Sequence, residues 1–396
     1  MSRSGYSAGE ISAAGREMIR ALVAFPTVSR ESNLDLIHFV RDTLAVHGVD
    51  SVLVHNEEGT KANLYATLGP TDIPGVMLSG HTDVVPVDGQ DWSSDPFTLT
   101  ERDGRLYGRG TADMKSFIGL TLARIPQFLD RDLKTPLHLA FSYDEEVGCL
   151  GVRRLLETLK GMAVRPAMCI IGEPTEMQVA VGHKGKRSFE VRIAGFECHS
   201  SLAPTGVNAV EYAAELIAFL NTLGREIRDG GPFDDDYDVS YTTIHTGVIE
   251  GGTALNIVPK DCRLQFEIRH LPGDDVDAIL GRIGDYAEKE LISRMRAVRA
   301  ETGMVIEETS SFPGLDTKPD EEVVRLAKAL AGRNDEAKVA FGTEAGLFSR
   351  NAHIPTVVCG PGSISQAHKP DEYITLEQLA HCDAFLGRLL DHLAAG

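Results

Sequence analysis

No two of the six cysteines (Cys149, Cys169, Cys198, Cys262, Cys359, Cys382) stand as a C-x-x-C pair. That absence removes a thiolate zinc knuckle and leaves no spacing for a disulfide framework, so reduced, mostly buried thiols are expected. Long apolar runs are missing too: no stretch approaches the roughly 18 residues a membrane span needs, and Met1 to Glu10 contains no apolar h-region. A cytoplasmic protein is the expectation. Positive charge is in short supply, 39 Lys plus Arg against 58 Asp plus Glu, giving a formal −19. Such a surface repels phosphate backbones and anionic lipid heads, which argues against nucleic-acid and membrane partners. It suits a cationic substrate or bound divalent metals, and equally an ordinary soluble surface. There is no internal repeat and no low-complexity segment, and the Asp234-Asp235-Asp236 run reads as a solvated loop.

What is present is ordinary globular composition, 396 residues with 42% hydrophobic and 24% charged, enough for two domains and a large core. Ser7-x-x-Glu10 is a capping-box pattern, and Ile11, Met18 and Leu22 carry helical periodicity to Pro26. A second helix is predicted from Asn33 to His47, with Gly48 at its C-cap. Short apolar runs at 63–68, 76–78, 137–143 and 167–171 then read as strands of an α/β sheet. Around Lys184 the rhythm becomes strand (186–193), helix (207–223), two strands (239–248, 261–270), helix (274–298) and strand (304–309), the βαββαβ order of a ferredoxin-like domain. The α/β pattern resumes after Pro313 with a helix at 321–331, a strand at 356–359 and a helix at 376–393. The expected division is 1–183 and 313–396 as one domain with 184–312 inserted.

Five segments put potential metal ligands just after predicted strands, where open α/β sheets carry their sites. They are Ser79-Gly80-His81-Thr82-Asp83, Gly110-Thr111-Ala112-Asp113-Met114-Lys115, Tyr143-Asp144-Glu145-Glu146, Gly172-Glu173-Pro174-Thr175 and Gln366-Ala367-His368-Lys369-Pro370. Singly, each is an ordinary polar residue at a strand end. Jointly, imidazoles and carboxylates without thiolate suit zinc, cobalt or manganese, and a pair of ions needs about this many side chains, with one carboxylate shared.

The ordered set, together with the inserted βαββαβ unit, resembles the aminoacylase and carboxypeptidase family of co-catalytic zinc hydrolases across nearly the whole chain. The resemblance implies an α/β fold: a mixed-sheet di-zinc hydrolase catalytic domain with an inserted ferredoxin-like (βαββαβ) lid and dimerisation domain. It implies two divalent ions, zinc foremost and cobalt or manganese possible. His81 and Glu173 would hold one, Glu146 and His368 the other, and Asp113 would bridge. Asp83 would accept the ring N–H of His81 and fix its tautomer. Glu145, adjacent to Glu146 and expected to point to the opposite side, would be the general base. From the inserted domain His199 would stabilise the oxyanion across a homodimer, while Asn256 and Arg269 would bind the substrate carboxylate, Arg through its planar fork. An ordinary strand ion pair is the other reading of Arg269.

Within the family, Gly342-Thr343-Glu344-Ala345-Gly346, the Gly360 to Tyr373 run and Gly182-His183-Lys184-Gly185 are most similar to the members that deacetylate acetylornithine. Glu344 could pair there with the side-chain ammonium of an N-acyl amino acid substrate. Succinyl-diaminopimelate desuccinylation and broad deacylase or dipeptidase activity are the alternatives, and a non-catalytic metal-binding module is a remote one. Gly5-Tyr6-Ser7-Ala8-Gly9 fits G-x-S-x-G, but no strand can precede so early a serine. Gly185-Lys186 lacks the P-loop's first glycine, Ala180 standing in its place.

Overall fold

The structure, a computed structural model, describes residues 11–396, and the Ser7-x-x-Glu10 and Gly5 to Gly9 patterns lie outside the described residues. The chain divides into two compact units: 1–182 with 315–338 and 343–396, and 183–314 with 339–342. The first helix runs Ala13–Val23, and its cap is Ser12, whose hydroxyl accepts from Gly15 N at 3.0 Å. Ile11 lies before the helix instead of on its face. The second helix, Leu34–Val46, is followed by Gly48 at φ 75°, the left-handed backbone that ends helices.

The larger unit is built on a mixed sheet whose strands lie in the order Ser51–His55, Ala62–Leu68, Leu137–Ser142, Val76–His81, Met168–Pro174, Thr356–Gly360, Val179–His183, Leu315–Asp316. Its middle is parallel: Val76–His81 runs alongside both Leu137–Ser142 and Met168–Pro174, and Thr356–Gly360 alongside Met168–Pro174. These central strands are buried along their whole length, as parallel strands covered on both faces must be. The helix Lys115–Ala123 is buried from Lys115 to Leu122. It approaches so closely that a Cβ added to Gly172 would lie 2.1 Å from the Phe117 ring. Any side chain at Gly172 would therefore force helix and sheet apart next to Glu173. A small antiparallel sheet, Thr100–Arg102, Arg105–Tyr107 and Tyr373–Thr375, brings residues near 108 beside residues near 372.

The smaller unit has its own antiparallel sheet, Thr243–Gly251, Asp261–His270, Gly185–Ala194, Gly303–Phe312 in spatial order. With the helices Ala209–Gly230 and Val276–Tyr286, the latter continued by Ala287–Ile292 and Ser293–Val298, this is the ferredoxin-like arrangement. Its separate core includes Phe189, Val191, Leu216, Leu264 and Leu291. Phe219 stacks on Tyr286 with ring centroids 4.0 Å apart. Among the described residues no helix is long and apolar enough to cross a membrane.

Candidate metal centre

The carboxyl ends of the central strands deliver the site. His81 is the last residue of Val76–His81, and Glu173 lies near the end of the adjacent Met168–Pro174. Glu145 and Glu146 follow Leu137–Ser142, His368 lies on the turns after Thr356–Gly360, and Asp113 immediately precedes the Lys115–Ala123 helix region. His81 Nε2 is 3.0 Å from Asp113 Oδ1 and 3.6 Å from Glu173 Oε1. His368 Nε2 is 3.3 Å from Asp113 Oδ2 and 3.1 Å from Glu146 Oε2. Asp113 therefore gives one oxygen to each imidazole, which is what a shared carboxylate must do. Ligand atoms of His81, Asp113 and Glu146 lie within 4.8 Å of one another, as do those of His81, Glu145 and Glu173.

Asp83 works through different atoms than the sequence suggested. His81 Nδ1 is 2.9 Å from the backbone carbonyl of Asp83 and 3.6 Å from its carboxylate. The carbonyl, not the carboxyl, is thus the close acceptor that leaves Nε2 free. The carboxylate instead accepts the backbone N–H groups of Glu145 and Glu146, at 3.1 and 3.3 Å, and the Ser29 hydroxyl at 2.7 Å. The Glu145-Glu146 pair lies in a turn, not on a strand end, and Asp144 at φ 53° starts that turn. Lys61 Nζ holds Asp144 at 2.6 Å, and Cys149 Sγ donates to Glu145 Oε1 at 3.3 Å.

This many buried carboxylates need compensating positive charge. Burial disfavours an imidazolium at His81, yet Glu173, Asp113 and Asp83 hold its pKa well above the usual value. Hydrogen bonds to Asp113 and Glu146 push His368 up to about 10. Burial opposes ionisation of Asp113, but the two histidines outweigh it and hold its carboxyl below the usual range. Burial and the Asp113 charge drive Glu173 well above the carboxylate range and Glu146 up to about 7. At Glu145 burial acts first, countered by His81 and reinforced by Glu146, Glu344 and Asp113, so its carboxyl is also held well above. The donor set, two imidazoles and carboxylates with the nearby thiol engaged elsewhere, fits two borderline divalent ions.

Glu344, expected on a pocket wall, is 1% exposed at the start of the helix Ala345–Ala352, with the Ser142 side chain beside its carboxyl. Burial pushes its carboxyl up to about 7. In the smaller unit His199 is exposed beside Ser201, with Nδ1 2.9 Å from its hydroxyl, and pairs across a β-bridge with Ile257. The Asn256 carbonyl accepts from Ser200 N at 3.0 Å, so the His199 and Asn256 segments lie together. Arg269 is held by Glu267, Nε to Oε1 at 2.9 Å, the strand ion pair that its sequence setting also allowed. Ser29, Lys61, Arg109 and Glu372 also support the centre, and no motif assigns them a role there. Only Arg109 and Glu372 carried any signal, as charged residues inside or beside the ligand-bearing segments.

The description of peptidase family M20/M25/M40 matches residues 77–392, and the chain belongs to that family. Among solved structures, an M20-family metallo-carboxypeptidase from Sulfolobus solfataricus superposes with TM-score 0.78 at 19% identity, covering 97% of this chain and 100% of the other. The aminopeptidase PepT from Bacillus cereus gives 0.73 at 20%, covering 97% and 99%. A Bacillus subtilis protein described as a dinuclear metal binding peptidase of the family gives 0.65 at 16%, covering 96% and 98%. At such identities the likeness concerns the fold.

Proposed function

We propose that this chain is a two-metal amidohydrolase that removes the acyl group from an N-acyl amino acid. N2-acetyl-L-ornithine, cleaved to L-ornithine and acetate as in arginine biosynthesis, is its foremost substrate. The observation that carries the reading is the gathering of His81, Asp113, Glu146, Glu173 and His368 around one centre with Glu145 beside them. His81 and Glu173 would hold one ion, Glu146 and His368 the other, and Asp113 would serve both; zinc suits the donors best, with cobalt or manganese acceptable. When bound, such ions lower the pKa of water towards roughly 7 and polarise the acyl carbonyl. Glu145 takes the proton from the attacking water and returns it to the departing amine nitrogen, so the C–N bond breaks to a neutral amine. Asp83, gripping the backbone of Glu145 and Glu146, keeps base and ligand pointing to their separate tasks.

The buried carboxyl of Glu344, close enough to Glu145 to act on its charge, supports a cationic substrate, since a buried carboxylate gains from an incoming ammonium. His199, Asn256 and Arg269 are proposed to act on the oxyanion and the substrate carboxylate, in a homodimer formed through the smaller unit. Short peptides are the second reading, favoured by the carboxypeptidase and aminopeptidase among the similar structures. Chelation followed by metal restoration, with acetylornithine, succinyl-diaminopimelate, acetyl-leucine and dipeptides compared, tests both. Metal-restored acetate release greatest on acetylornithine is expected. Activity that survives thorough chelation would overturn the mechanism, and a preference for acetyl-leucine or dipeptides would overturn the substrate.

A further inference from the structure

We propose that Glu372, Arg109 and Gln90 form a positioning truss that ties the His368 turn to the Asp113 turn and thereby sets the affinity of the second ion. The inference rests on the two-metal reading. Glu372 and Arg109 are each 1% exposed. One oxygen of Glu372 accepts the backbone N–H groups of Ala112 and Asp113, at 2.9 and 3.1 Å. Its other oxygen takes Arg109 Nη1 at 2.7 Å. The same Nη1 reaches the Lys369 carbonyl at 3.3 Å, and Nη2 donates to Gln90 Oε1 at 2.6 Å. Gln90 then donates from Nε2 to the backbone carbonyl of His368 at 3.2 Å. Trp92 closes the arrangement, its Nε1 donating to Gln90 Oε1 at 3.1 Å and its ring lying 5.0 Å from the Arg109 guanidinium.

The truss is needed on one side only. His81 and Glu173 sit in the sheet, but His368 stands on a turn at φ 62°, and its side chain is 49% exposed. His368 itself lies on no strand, and the chain of hydrogen bonds from Asp113 N through Glu372, Arg109 and Gln90 to the His368 carbonyl ties its turn to the Asp113 turn. A guanidinium suits the central position because it bonds in several directions within one plane, which a lysine cannot.

Titration of the metal-free full-length protein with Co2+ by calorimetry, with the visible absorption of the bound ion followed in parallel, tests this in wild type, Arg109→Lys, Glu372→Gln and Gln90→Ala. Wild type should take two ions. The variants should keep the first and bind the second on the order of 10- to 100-fold more weakly, the usual cost of removing a partner behind a ligand. Gln90→Ala leaves the buried ion pair intact, so it keeps the test open if the other two fold poorly. Wild-type affinity for both ions in all the variants, or equal weakening of both, would overturn the truss and leave a merely structural pair. Fewer than two ions on wild type would instead overturn the functional reading and the truss with it.

Discussion

His81 and Glu173 leave adjacent parallel strands and are 1% and 4% exposed, whereas His368 stands on a left-handed turn with its side chain 49% exposed. One side of the centre is made by the same backbone pairing that makes the sheet. The other is assembled by hydrogen bonds between turns. A site built this way has one half that is present whenever the sheet is, and one half that must be held. Glu145 lies with His81 and Glu173, their ligand atoms within 4.8 Å of one another, and its backbone is fastened by Asp83, two residues after His81 in the chain.

The largest effect should come from the proposed base. Glu145→Gln keeps shape and removes the base, so kcat should fall by about 10²- to 10⁴-fold while both ions still bind, measured by steady-state kinetics beside metal analysis. Loss of an ion together with activity would make Glu145 a ligand and erase its distinction from Glu146. Next come the two histidines. His81→Ala leaves Asp113 and Glu173 buried without their imidazole, which should abolish tight binding of the first ion and disturb the second through Asp113. His368→Ala should lose the second ion alone. Metal stoichiometry after gel filtration decides it, and equal losses from both variants would contradict the asymmetry.

Protons and cations compete for the same atoms, which gives a pH test of smaller effect. With His368 pushed up to about 10 and Glu146 up to about 7 in the metal-free protein, ion binding must expel protons, so affinity should rise as pH increases through neutrality. Calorimetry in buffers of different ionisation enthalpy counts the protons released. A pH-independent affinity with no proton release would mean that these groups are not the ligands.

The sequence made the ligands legible because polar residues at the ends of apolar strands stand out, and the αβ rhythm around them is plain. It concealed what joins them. Arg109 and Glu372 meet across 263 residues of chain, and no local pattern encodes such a pairing. The carbonyl that receives His81 Nδ1 is backbone, the same at every residue, so only the fold of the turn selects it. The helix Lys115–Ala123 was invisible for another reason. It is buried on every side from Lys115 to Leu122 and shows no polar face to reveal a helical period. The edge strand Ser51–His55 is half-exposed and too short to show clear alternation. The first helix is capped by Ser12 and buries Ile19, Leu22 and Val23.

The contrast between halves has a counterpart within the sheet, and it yields the smallest effect. His138 sits on Leu137–Ser142, directly beside the strand that ends at His81, and is 3% exposed. Its Nδ1 faces neutral hydroxyls, Tyr65 at 2.8 Å and Thr67 at 3.0 Å, and Nε2 has no partner. With no carboxylate near, burial alone acts and lowers its pKa from 6.5 to about 4. A histidine held neutral in the folded state contributes stability that is complete above its unfolded pKa and is lost as pH falls from about 6.5 towards about 4. At pH 5 the unfolded chain has taken the proton and the native state has not, a penalty of about 2 kcal/mol. His138→Gln has nothing to titrate. Urea unfolding of wild type and variant at pH 7 and pH 5 should show wild type losing about 2 kcal/mol more than the variant. Groups at the metal centre titrate equally in both proteins and cancel in the difference, so equal acid losses would mean that His138 is not held neutral and that burial does not separate it from His81.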